Sequence, residues 1–295
     1  MQHFSKDVVY QYNDPTNRAV GAVADGETFS LATELASGDW LHSLDDKWDP
    51  TMTSGNNPCV MVNVDGARPG DVLAVTIEEI RPDTIGYMAI GSEDAVYPEF
   101  TRRHFGEVFS NSVKIEDGII HVTDRLRVPI APLIGTLGTT IPVGSESHVK
   151  GGFYGGNMDV QEVRVGATVR LPVSIWGAGL NVGDIHARQS DAELSAVETR
   201  ATVVLTVRIE RPSWPIAGPL IEDATHLSAL ALDDDLKVAS EKAFVALHRW
   251  LVEGYSLTAQ EAYLLIGAVG EARCTRLLEP GNYPYIWKVG KEFLP

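Results

Sequence analysis

The sequence predicts a mainly β protein whose strands pack as β-sandwich or barrel layers, with a small C-terminal α+β part. Apolar and polar residues alternate, as in strands with one buried face, in residues 58–80, 118–130, 163–176 and 194–210. Helical periodicity occurs only after residue 219. Because the two patterns separate along the chain, we expect a β-rich body over residues 1–218 and a helical or α+β part packed on it over residues 219–295.

The N-terminal residues are predicted as two short strands followed by a loop. Residues 8–12 and 28–32 are rich in residues that favour strands, and the Asp25-Gly26 dipeptide marks a turn between them. Residues 37–55 are polar and rich in Asp and Trp, a composition that is typical of a loop. A solvated loop face accounts for most of the acidic residues in this segment.

A hairpin-like strand pair follows. Residues 60–64 and 72–78 alternate between apolar and polar, and the Pro69-Gly70 dipeptide between them favours a turn. Residues 82–112 have no clean period, so we predict an insertion or a long loop whose aromatic residues pack inside. Residues 118–130 again predict a strand.

The second half of the body contains the strongest strand patterns. Residues 163–178 form an apolar, β-branched run that predicts one or two buried strands. Residues 193–210 alternate over the longest stretch of the chain, and Arg211-Pro212 ends that strand. If the strand already begins at Asp191, the side chains of Asp191 and Glu193 share one face.

Two helices are predicted in the C-terminal part. Residues 236–250 carry an apolar stripe, and the acidic triplet 233–235 before them suits a helix N-terminus. Thr258 and Glu261 have the spacing of a capping box, which predicts a second helix through about Ala272. The tail, residues 279–295, is predicted to fold back as a strand or loop.

Composition and charge limit the expected partners. The 295 residues carry 24 Lys plus Arg against 40 Asp plus Glu, a formal net charge of −16. Nucleic acids and anionic membranes attract cationic surfaces, so neither is an expected partner. No apolar run approaches the roughly 20 residues of a membrane-spanning helix, and we expect a cytoplasmic protein. Cys59 and Cys274 are expected to be reduced structural thiols.

Two short motifs carry the residue types that metal binding or acid–base catalysis needs. They are Gly155-Gly156-Asn157-Met158-Asp159 and Gly183-Asp184-Ile185-His186-Ala187-Arg188-Gln189-Ser190-Asp191-Ala192-Glu193. Carboxylate oxygens and imidazole nitrogens bind hard or borderline cations, and a carboxylate beside a cation can act as a general base. In an extended segment, Asp184 and His186 lie on one face, because side chains repeat every two residues.

Each of these residues, taken alone, also has a structural explanation. Asn157 can serve only to hold a glycine turn, Asp159 and Glu193 can be solvated strand ends, and His186 can be a hydrogen-bonded core histidine. No nucleophile motif competes with them. The chain lacks a G-x-S-x-G turn, and Cys59 stands between a proline and a valine at the start of a predicted strand.

The two motifs resemble those of the acetamidase/formamidase family, which cleaves short-chain amides to a carboxylate and ammonia. Other segments resemble the same family in order along the chain, namely residues 65–73, 132–138, 257–263 and 269–271. The resemblance implies a metal-dependent hydrolase of a small aliphatic amide. It also implies a divalent metal, zinc or calcium, and a homo-oligomer, either a dimer or a pair of dimers.

The resemblance assigns roles to particular residues. The implied metal ligands are Asp159, Asp184, His186 and Asp39, with His42 as a further outer candidate. The implied catalytic residues are Glu193, Asp191 and Asn157. Glu193 is also a candidate ligand, and whichever carboxylate does not bind the metal would act as the general base.

Several positions depart from the family pattern. Tyr154 stands where a histidine commonly precedes the first motif, and Ser190 and Ala192 stand where the second motif commonly has glycine. Arg200 is basic where an acidic residue is often found, whereas Glu198 is acidic. The alternative is a divergent family member that binds a metal or small ligand without hydrolysing it.

Overall fold

The computed structural model describes residues 1–52, 57–278 and 281–295. Strands dominate these ranges, which confirms the predicted fold class. The strands are β1 (Gln2–Phe4), β2 (Tyr12–Asn13), β3 (Ala22–Val23), β4 (Thr28–Ala32), β5 (Val60–Val64), β6 (Val72–Gly91), β7 (Val108–Glu116), β8 (Ile119–His121), β9 (Arg127–Pro129), β10 (Leu133–Gly138), β11 (Glu146–Ser147), β12 (Gly151–Gly152), β13 (Gly155–Asn157), β14 (Thr168–Pro172), β15 (Leu180–Arg188), β16 (Val197–Glu210), β17 (Leu220–Glu222), β18 (His226–Asp233), β19 (Glu271–Cys274) and β20 (Tyr283–Gly290). The helices are α1 (Pro98–Phe105), α2 (Leu236–Tyr255) and α3 (Ala259–Val269), with 3-10 turns at Pro50–Met52 and Lys291–Phe293.

Most strands join one large, curled and mainly antiparallel sheet. Strand β16 is central to it, since β16 pairs with β4, β6 and β15. Strand β15 also pairs with β5 and β10, and β10 pairs with β13. Strands β2 and β11 form a separate two-stranded ribbon. The pairing of β10 with both β13 and β15 brings the two sequence motifs together.

The apolar residues of these strands form the main core. Fully buried side chains from β4, β6 and β16 meet there, including Phe29, Leu73 and Leu205. Each such side chain contributes about 1.5–3 kcal/mol through its removal from water. This core supports the strands on which the motif residues lie.

The long loop predicted for residues 82–112 is wrong, and its aromatic residues Tyr97, Phe100 and Phe105 are exposed, although they were expected to pack. Strand β6 continues to Gly91 and pairs with β7 from Ile85 to Gly91, and α1 lies between the two strands. Residues 81–83 interrupt the apolar alternation, but β6 persists because β16 pairs with it along the interruption. Neighbouring strands therefore override a local pattern that suggests a loop.

Two strand boundaries also differ from those predicted. The apolar run 163–178 contributes only β14, which is five residues long. Strand β16 begins at Val197, because Ala192 and Glu193 have positive φ angles of 72° and 48° and belong to a turn. Asp191 and Glu193 therefore do not share a strand face, contrary to the condition considered from the sequence.

The C-terminal elements follow the predicted order. Helix α2 packs on β18 and β20, and its N-cap is Asp235. Helix α3 has the predicted capping box at Thr258 but ends at Val269, because Gly270 adopts an extended conformation. The tail forms β20, whereas residues 279 and 280, like residues 53–55 of the predicted loop, lie outside the described ranges. The division of the chain at residue 218 stays a prediction.

No helix in the described ranges is both long and apolar enough to cross a membrane.

Candidate functional site

Strand β10 holds the two motifs side by side. Thr136 is the register partner of Asn157 on β13 and of Gly183 on β15. The residues that follow these positions, Asp159 and Asp184, therefore lie close to one another. Gly135 makes this possible, because a Cβ atom at that position would lie 2.5 Å from both Asp159 Oδ1 and Asp184 Oδ2.

A buried acidic cluster contains the central residues of both motifs. Asp159, His186 and Glu193 each offer one ligand atom, and these atoms lie within 4.8 Å of one another. His186 Nε2 is 4.0 Å from Asp159 Oδ1 and 3.0 Å from Asp184 Oδ1. All four side chains are buried. We call these four residues the acidic cluster.

Gln189 determines which ring nitrogen of His186 faces the cluster. Its Nε2 donates to the backbone oxygen of Asp159 at 3.1 Å, which leaves Oε1 to accept from His186 Nδ1 at 2.6 Å. Because Nδ1 then carries a proton, Nε2 is the ring atom available to a cation or to a second proton. Such an outer hydrogen bond is typical of histidines that bind metals.

Hydrogen bonds from Asn57 and Thr136 hold Asp184 through the carboxylate oxygen that faces away from His186. Its Oδ2 accepts from Asn57 Nδ2 at 2.9 Å and from Thr136 Oγ1 at 3.2 Å. Thr136 is also within 3.2 Å of Asn157 Oδ1, and Asn157 Nδ2 donates to the backbone oxygen of Val149 at 3.0 Å. Both ends of the Asn157 amide are thus engaged in hydrogen bonds that support the site.

Arg276 brings a buried positive charge to the acidic cluster. Its Nη1 donates to Asp159 Oδ2 at 2.7 Å, and its Nη2 donates to the backbone and side-chain oxygens of Asn282. Only 1% of this side chain is exposed. The pair therefore fixes Asp159 through one oxygen and leaves Oδ1 directed at His186.

Several site residues have backbone conformations that most side chains avoid. Asn57, Asp159, Asp184 and Glu193 have φ angles of 44°, 43°, 56° and 48°. A non-glycine residue in this left-handed region costs on the order of 1–3 kcal/mol, and such strain concentrates at functional sites. The strain supports the assignment of this region as the functional site.

The charges of the cluster shift its pKa values. Burial, followed by the charge of Asp184, raises the pKa of Asp159, while burial and Asp159 raise the pKa of Glu193 well above its usual value. Burial alone would lower the pKa of His186, but the neighbouring carboxylates, Asp184 foremost, outweigh it and raise that pKa well above its usual value. The cluster thus retains protons unless another cation compensates its negative charge.

The donor set fits a divalent cation. Asp159 Oδ1 and Glu193 Oε2 are buried atoms without a hydrogen-bond partner among the described residues. Buried carboxylate oxygens rarely remain unpaired, because their desolvation is costly. Two such oxygens beside an imidazole nitrogen form a possible metal site, for which Asp159, His186 and Glu193 could supply the ligands.

The structure does not bring Asp39 and Asp191 to this cluster. Asp39 Oδ1 accepts from Arg200 Nη2 at 2.6 Å, and 65% of the Asp39 side chain is exposed. Asp191 is also exposed, and its Oδ1 accepts from Arg273 at 2.9 Å. His42 is exposed as well, and its backbone N–H donates to Asp46. The sequence could not reveal these surface pairings, since both arginines come from distant strands.

The departures from the family pattern lie outside the cluster. The Tyr154 hydroxyl donates to Glu146 at 2.8 Å. Arg200 donates to Glu34, Asp39 and the backbone oxygen of Leu41. Neither side chain contacts the acidic cluster through these bonds.

Sequence reasoning missed five residues that support or adjoin the cluster: Asn57, Thr136, Gln189, Glu198 and Arg276. Gln189 and Thr136 lie in or beside quoted motifs, so a search for polar partners of His186 and Asp184 could have found them. Arg276 has no such signal. Glu198 lies opposite His186 in the sheet, and burial, followed by Asp184, raises the pKa of Glu198 to about 7.

Comparison with known proteins tests the family prediction. The model of the acetamidase/formamidase family matches residues 143–279, which include both motifs. A Schizosaccharomyces pombe protein described as a candidate formamidase is 24% identical over 73% of this chain. The match spans 64% of the length of that relative.

Solved structures share the fold over nearly the whole chain. A Thermoanaerobacter tengcongensis protein, described as a predicted acetamidase/formamidase, is 26% identical, with a TM-score of 0.90 and coverage of 99% of this chain and 96% of its own. An acetamidase from Bacillus halodurans is 24% identical, with a TM-score of 0.89, and the match covers 99% of this chain and 98% of the acetamidase. At this identity the likeness is evidence for a shared fold only. The family model, the relative and the solved structures agree with the resemblance to the acetamidase/formamidase family that the motifs carry.

Proposed function

We propose that this chain is a metal-dependent hydrolase of short-chain aliphatic amides, which releases a carboxylate and ammonia from substrates such as formamide and acetamide. The observation that carries the proposal is the acidic cluster, where two unpaired carboxylate oxygens and His186 Nε2 converge. The names of the relatives support the reaction class.

Zinc suits this donor set better than calcium. Calcium takes about six to eight oxygen ligands, whereas catalytic zinc commonly has three protein ligands that include imidazole, with one position open. Asp159, His186 and Glu193 would supply those three ligands. When bound, a zinc ion would polarise the amide carbonyl and lower the pKa of water.

The remaining carboxylate, Asp184, is the proposed proton acceptor. Asn57 and Thr136 hold its Oδ2, so Oδ1 stays directed at the cluster. Oδ1 would take a proton from the attacking water as oxygen adds to the carbonyl carbon. It would then return that proton to the departing nitrogen as the C–N bond breaks. This assignment moves Asp184 from ligand to base, and Glu193 from base to ligand.

Ammonia release tests the proposal. Purified protein should release ammonia from formamide, acetamide or propionamide, lose that activity after chelation and regain it with added zinc. A protein that binds zinc but releases no ammonia from any of these amides would support the binding-only alternative. Activity that survives complete metal removal would contradict the metal-dependent reaction.

We also propose that the chain forms a homo-oligomer, as its family resemblance implies. Helices α1 and α3 expose large apolar side chains, including Phe100, Tyr263 and Leu264, which suit an interface between copies. The expected cytoplasmic location stays a prediction.

A further inference from the structure

A small cavity adjoins the acidic cluster. Its volume is about 150 Å³, and it is lined by Ala36, Trp48, Asn57, Tyr87, Ala89 and Glu198. Asn57 belongs to both places, because its Nδ2 donates to Asp184 Oδ2 at 2.9 Å. A molecule in this cavity would therefore lie beside the proposed catalytic groups.

A row of polar side chains crosses the sheet from the cavity to the cluster. Tyr87 on β6 is the register partner of Glu198 on β16, and Glu198 is the partner of His186 on β15. Residues directly opposite each other in antiparallel strands project from the same face. The three side chains therefore lie in line, with Glu198 between the cavity and His186.

Glu198 is held in place by Tyr87. The Tyr87 hydroxyl donates to Glu198 Oε2 at 2.5 Å, and the same hydroxyl lies 2.6 Å from Ser37 Oγ. Tyr87 is fully buried against Leu35 and Leu41. The carboxylate thus has a fixed direction at the cavity wall, as a substrate-binding group requires.

Resting on the proposed function, we propose that this cavity is the amide-binding subsite, where Glu198 accepts a hydrogen bond from the substrate –NH₂ and the acyl group packs against Trp48, Ala36 and Ala89. In its ionised form Glu198 is an acceptor only, so it then matches an amide N–H and not a carbonyl oxygen. A methyl group on the amide nitrogen would replace an N–H donor at this carboxylate. The subsite therefore selects primary amides with short acyl chains.

The cavity size agrees with such substrates. Pockets for drug-sized ligands measure roughly 300–1,000 Å³, whereas a cavity of about 150 Å³ in another protein holds benzene. Formamide, acetamide and propionamide are each smaller than benzene. The small side chains of Ala36 and Ala89 in its wall leave room for a short acyl chain.

A larger cavity is the competing site. It measures about 510 Å³ and lies between α2 and residues 214–220. Its two basic side chains are already engaged, since Lys242 pairs with Asp233 and Arg249 lies over the Trp214 ring. None of the described residues that line it belongs to the acidic cluster. It therefore provides a matched control.

The first test fills each cavity with the same side chain. Ala89→Leu should lower kcat/KM for propionamide relative to formamide by roughly 10–200-fold, the effect of small changes in a hydrophobic pocket. Ala246→Leu, in the larger cavity, should leave that ratio unchanged. Unfolding midpoints would establish that both variants fold. A folded Ala89→Leu variant with the wild-type ratio, or an Ala246→Leu variant with the shifted ratio, would overturn the proposal.

The second test concerns the amide nitrogen. Glu198→Gln should raise KM for acetamide about tenfold or more and reduce the preference for acetamide over N-methylacetamide, with unchanged metal content. Tyr87→Phe should show a smaller change in the same direction. Loss of bound metal in Glu198→Gln would overturn the subsite role and assign Glu198 to the metal site instead.

Failure of the proposed function would give a different result. If wild-type protein releases no ammonia from any amide, saturation-transfer NMR with acetamide still tests the subsite. The wild type and Ala246→Leu should then show acetamide binding, and Ala89→Leu should lose it. Absence of binding to the wild type would overturn the subsite proposal as well.

Discussion

At the scale of single residues, the acidic cluster depends on close packing between carboxylates and backbone. Gly135 lies against Asp159 and Asp184, where any side chain would collide with their oxygens. Arg276 donates to the Asp159 oxygen that faces away from His186, and Gln189 accepts from the His186 nitrogen that faces away from the cluster. The precision of the site thus comes from residues that have no chemical role of their own.

Gly135→Ala should damage the site more than the fold. The new Cβ atom would lie 2.5 Å from two carboxylate oxygens, so we expect bound metal and activity to fall at least tenfold and stability to fall by about 1–3 kcal/mol. Metal analysis and urea unfolding measure these effects. Gly267→Ala is the control, because its Cβ would meet no atom within 4 Å and should stabilise α3 by up to about 1 kcal/mol. Full metal content in Gly135→Ala would contradict this account.

His148 should make stability sensitive to mild acid. It is buried, and burial lowers the pKa of His148 from 6.5 to about 4. The unfolded chain therefore binds a proton that the folded chain resists, and this penalty grows as pH falls from 6.5 to 4. His148 by itself should contribute a loss of about 2 kcal/mol at pH 5 relative to pH 7.5, whereas the raised pKa of Glu198 acts in the opposite direction.

Urea unfolding of the wild type and His148→Gln at both pH values measures this effect. The variant should lose about 2 kcal/mol less than the wild type over the same pH change. Equal losses in the two proteins would show that His148 is not responsible.

The sequence indicated which residues meet at the centre of the candidate site but not which residues surround them. The two motifs supply Asp159, Asp184 and His186 at a short spacing, and the structure brings these side chains together. Asp39, an expected ligand, pairs with Arg200 and does not join the cluster, and the sequence does not reveal this pairing. Glu198 and Arg276 were missed, since their positions depend on strand register and on a distant turn.

At the scale of elements, pairing with neighbouring strands determines how far β6 extends, although the local sequence pattern suggests an earlier end. Residues 82–91 carry an interrupted alternation, yet β6 continues because β16 and β7 pair with it. This extension places Tyr87 beside Glu198. Helices α2 and α3 were predicted more closely, because their caps are local: Asp235 and Thr258 bond to backbone groups within three residues. Helix α1, which has no side-chain cap, was not predicted.

The acidic triplet before α2 offers a test of that local control. The Asp235 side chain accepts from the backbone N–H groups of Lys237 and Val238. Asp235→Ala should therefore cost about 1 kcal/mol of stability, the usual effect of losing an N-cap. Asp234→Ala, at an exposed neighbouring position, should change stability by no more than about 0.5 kcal/mol. Thermal or urea unfolding would compare them, and equal effects would contradict the capping role.

At the scale of the whole molecule, the acidic surface opposes association between copies of the chain, whereas the exposed apolar helix faces favour it. A net charge of −16 opposes non-specific aggregation, so association requires a specific apolar interface. We expect a dimer or larger, with a mass of at least twice 32.1 kDa by light scattering at micromolar concentration. Replacing Tyr263 and Leu264 on α3 with serine should lower the mass if this face forms the interface. A wild-type mass of 32.1 kDa would contradict assembly.

The most direct test of the central claim measures bound metal and turnover together in two variants of the acidic cluster. His186→Ala removes a proposed ligand, so it should lose both bound zinc and ammonia release. Asp184→Asn removes the proposed proton acceptor, so it should retain about one zinc ion per chain while kcat falls by about 10²–10⁴-fold. Retention of zinc and full activity by His186→Ala would contradict the claim that this cluster is the catalytic metal site.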